Sequence, residues 1–197
     1  MSILRDLVLK YADSLNLDAF GRLRTSNLTT QIDVKQFLSP EPLLIDHYED
    51  ATATNTYDQS KSRSVMSAPA VDDYAIAQTK VRGNYQSGKS QLIFITFSSG
   101  HLQENIEKKV GYFSATPNTI DSGLDGLFFS SEGFSGSGGE FNFEIWREGT
   151  LVKKAARDTD WLDKFDGDGP SGKEITDWSN SMILFIDFEW LGCGCNA

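Results

Sequence analysis

The chain has 197 residues, 18 of them Lys or Arg and 28 Asp or Glu, with a formal net charge of −10 at pH 7. This length is sufficient for a β domain with a substantial core, and 12% aromatic residues are typical of a globular protein rather than a disordered one. The negative charge repels nucleic acid and anionic membranes, so we expect neither as a partner.

Residues 1–17 predict an N-terminal arm in the form of an amphipathic helix. Ser2 is a suitable N-cap. The apolar residues that follow recur at helical spacing: Ile3, Leu4, Leu7, Val8, Tyr11 and Leu15. An isolated helix of this length is marginally stable, so it needs a surface to pack on. Its own domain and a neighbouring subunit are both suitable, and the sequence does not choose between them.

The segment FGRLR (20–24) places Arg22 and Arg24 on either side of Leu23. The two arginines either pair with an acidic surface of a partner or cover acidic loops of their own domain, and the sequence favours neither. Together with four residues of the arm they form the set that we expect to carry assembly: Leu4, Leu7, Val8, Tyr11, Arg22 and Arg24.

Strand patterns follow a polar segment. Residues 40–64 are polar and rich in turn-forming residues, and EDATATNTYDQSKS (49–62) within them predicts an exposed loop. Period-2 patterns with β-branched and aromatic residues then predict strands in DDYAIAQTK (72–80), SQLIFITFSS (90–99) and KVGYFSA (109–115). The dipeptide Asp125-Gly126 predicts a hairpin turn followed by a short strand, and SGSGG (135–139) predicts a second turn.

The C-terminal third continues the β pattern. EFNFEIWREG (140–149) predicts a half-buried strand with a hairpin partner over 150–153, and 182–191 predicts an almost wholly apolar strand. Between them, the acidic and glycine-rich residues 157–172 predict a solvated loop. We therefore predict an all-β fold, a single β-sandwich or jelly-roll domain over residues 18–197 that follows the arm.

The acidic residues do not form a catalytic pair. IDFEWLG (186–192) is similar to the signature of the laminarinase and lichenase glycoside hydrolases, with Asp187 and Glu189 at two of its acidic positions. The nucleophile position falls on Phe185, which cannot form the covalent intermediate of retaining hydrolysis. Glu140 and Glu144 share a strand face about 13 Å apart, too far for a glycosidase pair, and we expect both to be exposed. The sequence predicts no catalytic residue.

Neither a metal nor a cofactor site is predicted. Alternate Asp residues from Asp166 place Pro170 at a position where calcium-binding loops carry a ligand, so we expect these carboxylates to bond local backbone instead. Cys193 and Cys195 are too few for a zinc site or a disulfide framework, and we expect free thiols.

Two tryptophans indicate an alternative function, the binding of a carbohydrate. Trp161 and Trp178 lie in predicted loops, where exposed indoles can stack on sugar rings, so they are our candidate glycan-stacking residues. Trp190 lies in an apolar strand, and we expect it in the core. This alternative is a carbohydrate- or receptor-binding module, with a host surface glycan as its partner.

Several blocks occur in a fixed order along the chain: DAFGRLRTSN (18–27), YQSGKSQLIFITF (85–97), KKVGYF (108–113), DGLFF (125–129), WLDKFDGDGPSG (161–172) and ILFIDFEWLGCG (183–194). Together they resemble a family of uncharacterised virion structural proteins of tailed bacteriophages and some large DNA viruses. In that family the last block is followed by a second half, whereas this sequence stops at Ala197.

The resemblance implies a non-enzymatic structural protein of the virion, as a minor capsid, vertex, decoration or tail-associated component. Its expected partners are other virion proteins and further copies of itself. No apolar stretch of about 18 residues and no secretory signal is visible in the sequence, so we expect synthesis in the host cytoplasm before assembly into the particle.

Overall fold

The computed structural model describes residues 16–17, 23–24, 29–36, 39–83, 91–114, 125–136 and 138–188. Within these ranges the fold is all-β, with strands β1 to β12 and one short helix, and no helix there is long and apolar enough to cross a membrane. The chain divides into two compact units, Met1–Asn84 and Tyr85–Ala197. The predicted arm lies outside the described residues, except for residues 16–17.

The first unit contains antiparallel strand pairs. β1 (Asn16–Leu17) pairs with β2 (Leu23–Arg24), β3 (Ile45–Glu49) with β6 (Ala75–Thr79), and β4 (Thr54–Asp58) with β5 (Arg63–Ser67). Side-chain hydrogen bonds hold the connecting segments. The Tyr57 hydroxyl donates to the backbone oxygen of Gln36 at 2.8 Å, and the Gln36 amide oxygen accepts from the backbone N–H of Ser64 at 3.0 Å.

The prediction of a loop over 49–62 is wrong, because β4 lies within it. β4 is polar and has no fully buried residue, so it lacks the buried apolar alternation that marks a strand in a sequence. Pairing with β5 across the turn at 59–62 stabilises it instead, with Asp58 accepting bonds from both the backbone and the hydroxyl of Ser60.

The second unit contains two sheets. β8 (Glu107–Ser114), β9 (Asp125–Gly133), β10 (Gly139–Arg147) and β11 (Thr150–Ala156) form an antiparallel sheet in the order β11-β10-β9-β8. β7 (Gln91–Phe97) and β12 (Met182–Phe188) form a separate antiparallel pair. The helix α1 (Arg157–Asp160) follows β11 directly.

The predicted hairpin of β10 and β11 is confirmed, and its turn follows from two residues. Glu148 and Gly149 both have positive φ, 49° and 72°, and Arg147 pairs with Thr150 across them. A two-residue turn with both central residues at positive φ matches the twist of antiparallel strands. By contrast, the predicted turn at Asp125-Gly126 is wrong: both residues belong to β9 and pair with Ser114 and Phe113 of β8.

The core of the second unit lies between its two sheets. Phe129 of β9, Phe141 of β10 and Leu184 of β12 are buried there together. Half-buried apolar residues surround these three: Ile95, Phe97, Leu102, Val110, Trp161, Trp178 and Ile186. Because the two sheets meet through apolar side chains from both, this unit has the layered, sandwich-like arrangement that the sequence predicts.

Candidate functional site

The pair β7–β12 carries apolar side chains on both of its faces. Ile95 and Leu184, which are cross-strand partners, belong to the core cluster. One position along, Phe94 is opposite Phe185, and their ring centroids lie 5.2 Å apart with an interplanar angle of 54°. Successive side chains on a strand point to opposite faces, so this second set faces away from the core. We call Leu92, Phe94, Thr96, Ile183, Phe185 and Asp187 the outer face.

The outer face carries two large, exposed apolar side chains on a narrow sheet. Phe94 is 56% exposed and Ile183 is 67% exposed. Among the described residues, β7 and β12 form ladders only with each other, so each has an outer edge with no strand beside it. Exposed apolar surface next to open strand edges favours contact with another polypeptide, by side-chain packing or by addition of a strand.

On the side opposite the core, the four-stranded sheet has a polar face next to a second apolar cluster, that of Phe128 with Phe113 and Trp146. The ladder places Lys109, Ser130 and Asn142 side by side on β8, β9 and β10, and Glu144 is opposite Lys154 in the next row. At the other end of this face, Glu107, Glu132 and Glu140 form a further row. We call these eight residues the polar face: Glu107, Lys109, Ser130, Glu132, Glu140, Asn142, Glu144 and Lys154.

Glu144 is buried on the polar face, and the prediction that it is exposed is wrong. It is 4% exposed, and it accepts hydrogen bonds of 2.6 Å from the Ser130 hydroxyl and from the Trp146 indole N–H. The Lys109 ammonium lies 3.6 Å from the same carboxylate and 4.2 Å from the centroid of the Trp146 ring. A neighbouring ammonium and two donors compensate the carboxylate for its loss of water.

Asn142 is buried in the middle of the polar face without a polar partner. It is 0% exposed, and neither its amide nitrogen nor its amide oxygen has a hydrogen-bond partner in the described structure. Long lysine side chains from the neighbouring strands lie on the same face. Lys154 is opposite Glu144 in the ladder, yet its Nζ reaches Glu140 at 2.9 Å and Glu132 at 3.4 Å. Its side chain therefore extends past Asn142, which lies between Glu144 and Glu140 on β10.

Trp161 and Trp178 lie outside the strands, as predicted, and both are half-buried. The Trp161 ring stacks on Phe143 at 4.5 Å between centroids, and its indole N–H donates to the backbone oxygen of Ala155 at 2.9 Å. The Trp178 ring stacks on Phe141 at 4.0 Å. Each ring therefore has a face in contact with a phenylalanine of β10. Their role in glycan stacking stays a prediction.

The acidic loop over residues 157–172 contains carboxylates that bond to nearby backbone, as predicted. Asp163 accepts from the backbone N–H groups of Phe165 at 3.0 Å and Ser171 at 2.8 Å. Beyond the predicted loop, Asp177 accepts from the backbone N–H of Ser179 at 2.8 Å. No group of His, Cys, Asp or Glu among the described residues has a geometry that would hold a metal ion.

These hydrogen bonds make the loop sensitive to acid. The Ser171 hydroxyl and the backbone N–H groups of Phe165 and Ser171 lower the pKa of Asp163 below its ordinary value of 3.8. The unfolded chain therefore binds a proton first as the pH falls, and the stabilisation present above 3.8 is lost as the pH passes through the folded-state value. We expect tryptophan fluorescence to report loosening around Trp161 with a midpoint below pH 3.8.

Asp163→Asn is the matched variant for the acid transition, because its amide does not titrate. We expect this variant to show a weaker change in Trp161 fluorescence over the same range. A midpoint above pH 3.8, or an identical transition in the variant, would contradict this assignment.

Other predicted positions lie partly or wholly outside the described residues. This holds for Leu4, Leu7, Val8, Tyr11 and Arg22, for Glu189 and Trp190, and for Cys193 and Cys195; of Arg24 only the backbone pairing in β2 is described. Of the two acidic residues in the hydrolase-like motif, Asp187 is described: it lies on β12, opposite Leu92 of β7.

Comparisons with family models, with curated proteins and with solved structures find no match to this chain. The candidate surfaces therefore rest on the geometry of the described residues.

Proposed function

We propose that the chain is a non-enzymatic structural protein of a virus particle that acts through contacts with other copies of itself and with other virion proteins. The observation that carries the assembly part is the outer face of β7–β12, where Phe94 and Ile183 are exposed beside strand edges that pair with no other strand in the described part of the chain. The virion part rests on the sequence resemblance. A jelly-roll order of strands, a position in the capsid, at a vertex or on the tail, and the absence of a catalytic role belong to the same proposal.

The outer face favours assembly because its exposed apolar side chains are more stable when they are buried against another polypeptide than in water. Burying a Phe or Ile side chain contributes roughly 1.5–3 kcal/mol. A second polypeptide that covers Phe94 and Ile183, and adds a strand at either edge, gains both this burial and backbone hydrogen bonds. A stable interface buries more than about 1,000 Å² in total, so we expect the contact to extend beyond the outer face. The N-terminal arm is our candidate for that extension.

Light scattering of the purified chain tests the proposal. We expect a defined oligomer for the wild type, and the double variant Phe94→Glu with Ile183→Glu should raise its dissociation constant at least about 100-fold. Removal of residues 2–17 should also lower the mass if the arm contributes. Leu162→Glu is the matched control, since Leu162 is 89% exposed on the loop after α1.

Two outcomes of this experiment would contradict assembly through the outer face. One is a monomer at all concentrations for the wild type. The other is an oligomer that the double variant and the control affect equally.

The second candidate function is the binding of a carbohydrate or receptor at the particle surface. The observation that favours it is the polar face, where a buried amide lies without a partner among carboxylates and lysines. Such a set of groups is expensive to bury unless something binds to it.

A further inference from the structure

We infer that the polar face of the four-stranded sheet is a binding site for a neutral saccharide, with the Asn142 amide as its central polar contact. This inference rests on the second candidate function and gives it a location other than Trp161 and Trp178. It is independent of assembly through the outer face.

The inference depends on Asn142, because neither polar atom of its buried amide has a hydrogen-bond partner among the described residues. A buried polar group without a partner destabilises the fold, and an apolar residue of the same shape would avoid that cost. The neighbouring polar side chains already have other partners: the Ser130 hydroxyl donates to Glu144, and Lys154 bonds to Glu140 and Glu132. The amide therefore offers one acceptor and two N–H donors that a ligand can satisfy.

The chemistry of the polar face selects the class of ligand. Four carboxylates, of Glu107, Glu132, Glu140 and Glu144, outnumber the ammonium groups of Lys109 and Lys154, so the local charge disfavours an anion. Carboxylates accept, lysines donate and the amide does both. Sugar hydroxyl groups also donate and accept, so a polyhydroxylated and uncharged molecule matches this mixture.

Trp146 adds an apolar surface beside these groups. Its indole is half-buried, fixed by its N–H bond to Glu144, and its ring is covered by the Lys109 ammonium at 4.2 Å. When Lys109 moves aside, the ring presents a flat face on which the C–H groups of a sugar can lie. Polar groups next to a fixed aromatic ring are the two components that sugar recognition needs.

Access to the amide requires only side-chain movement. Lys109 and Lys154 have side chains that are 19% and 33% exposed, and both are long and unbranched. The ion pairs with Glu107, Glu132 and Glu140, whose side chains are 39–45% exposed, are weak enough to exchange in solution, whereas the contact of Lys109 with the buried Glu144 has to be displaced at a cost. Opening the site therefore leaves the backbone of the sheet in place.

Calorimetric titration of the full chain with maltohexaose, cellohexaose and laminarihexaose tests the inference, with polygalacturonate as the anionic comparison. We expect at least one neutral hexasaccharide to bind, and Asn142→Leu to weaken it by about tenfold or more. The melting temperature of this variant should equal or exceed that of the wild type, because leucine has a similar branched shape and no unpaired polar atoms. Asn142→Ala is the second variant if leucine does not fit.

Two further variants locate the site. Ser131→Ala, on the opposite face of β9, is the control and should bind as the wild type does. If Trp161→Phe with Trp178→Phe abolishes binding while Asn142→Leu retains it, this site is wrong but the second candidate function stands. If no neutral hexasaccharide binds to the wild type, or if polygalacturonate alone binds, the inference is overturned. A lower melting temperature of Asn142→Leu with unchanged sugar binding overturns it as well, since the amide is then purely structural.

Discussion

Replacing Phe129 by alanine is expected to lower the free energy of unfolding of the second unit by about 3–5 kcal/mol. Phe129 is 5% exposed, at the centre of the core between the two sheets. Its ring centroid lies 5.3 to 6.3 Å from five other rings, those of Phe97, Phe141, Phe143, Trp161 and Trp178. Because these rings come from two sheets and from the loops, none of them can move into the space without losing its other contacts.

Urea unfolding followed by tryptophan fluorescence measures this effect in the second unit alone, because all four tryptophans of the chain follow residue 84. Phe134→Ala is the matched control: it removes the same side chain from a position that is 42% exposed just after β9 and outside the outer face, and should cost less than about 1 kcal/mol. Equal losses for the two variants would show that the cluster around Phe129 is not the core of this unit.

The strands of the second unit could be predicted because their sequences combine apolar alternation with turn residues. β7 and β12 lie within the predicted segments, and β10 begins one residue before its predicted segment. In the hairpin turn, Gly149 suits the positive φ of its position, whereas Glu148 adopts a positive φ that a residue with a side chain rarely has. β4 could not be predicted, because a polar strand in an exposed hairpin has the composition of a loop. The turn predicted from Asp125-Gly126 is wrong for the opposite reason, because this turn-forming dipeptide lies at the start of a paired strand.

The polar face could not be predicted, because its burial depends on residues from neighbouring strands. Alternation in EFNFEIW separates Phe141 and Phe143 from Asn142 and Glu144, and this much is confirmed by the ladder. Alternation does not show which face is covered. Asn142 and Glu144 are buried while Phe143 is 44% exposed, and the lysines that pair with glutamates of this side come from β8 and β11. Only the order of strands in the sheet brings these lysines to β10.

Trp161 and Trp178 illustrate a related limit. Their position in loops follows from the surrounding turn residues, and the structure places both outside the strands. What each ring contacts depends on how the loop returns over the sheet, and here it brings them onto Phe143 and Phe141. Local sequence therefore predicts where a tryptophan lies along the chain, but not whether its ring is available to a ligand.

Replacing Glu144 by alanine is expected to destabilise the second unit by about 3 kcal/mol, which is the second large effect. The substitution leaves the Ser130 hydroxyl, the Trp146 indole N–H and the Lys109 ammonium without their shared acceptor. Removing one member of a buried charge pair costs about 3–5 kcal/mol, and this case lies at the lower end because Lys109 is partly exposed and keeps its ion pair with Glu107 at 2.8 Å. Urea unfolding measures the loss, and the fluorescence of Trp146 should change because its hydrogen bond is removed.

A double-mutant cycle separates the charge pair from the rest of the network. Lys109→Met retains much of the apolar stem and removes the charge, so Glu144→Ala should cost less in the Lys109→Met background than in the wild type. We expect a coupling of roughly 1 kcal/mol, with the remaining loss due to the two hydrogen bonds of 2.6 Å to Ser130 and Trp146. Additive losses would mean that Lys109 does not stabilise Glu144 and that the ammonium near Trp146 is free to be displaced. In that case Lys109 moves away from the polar face at little cost. A strong coupling would instead make the displacement of Lys109 the main energetic barrier to any ligand that reaches the indole of Trp146.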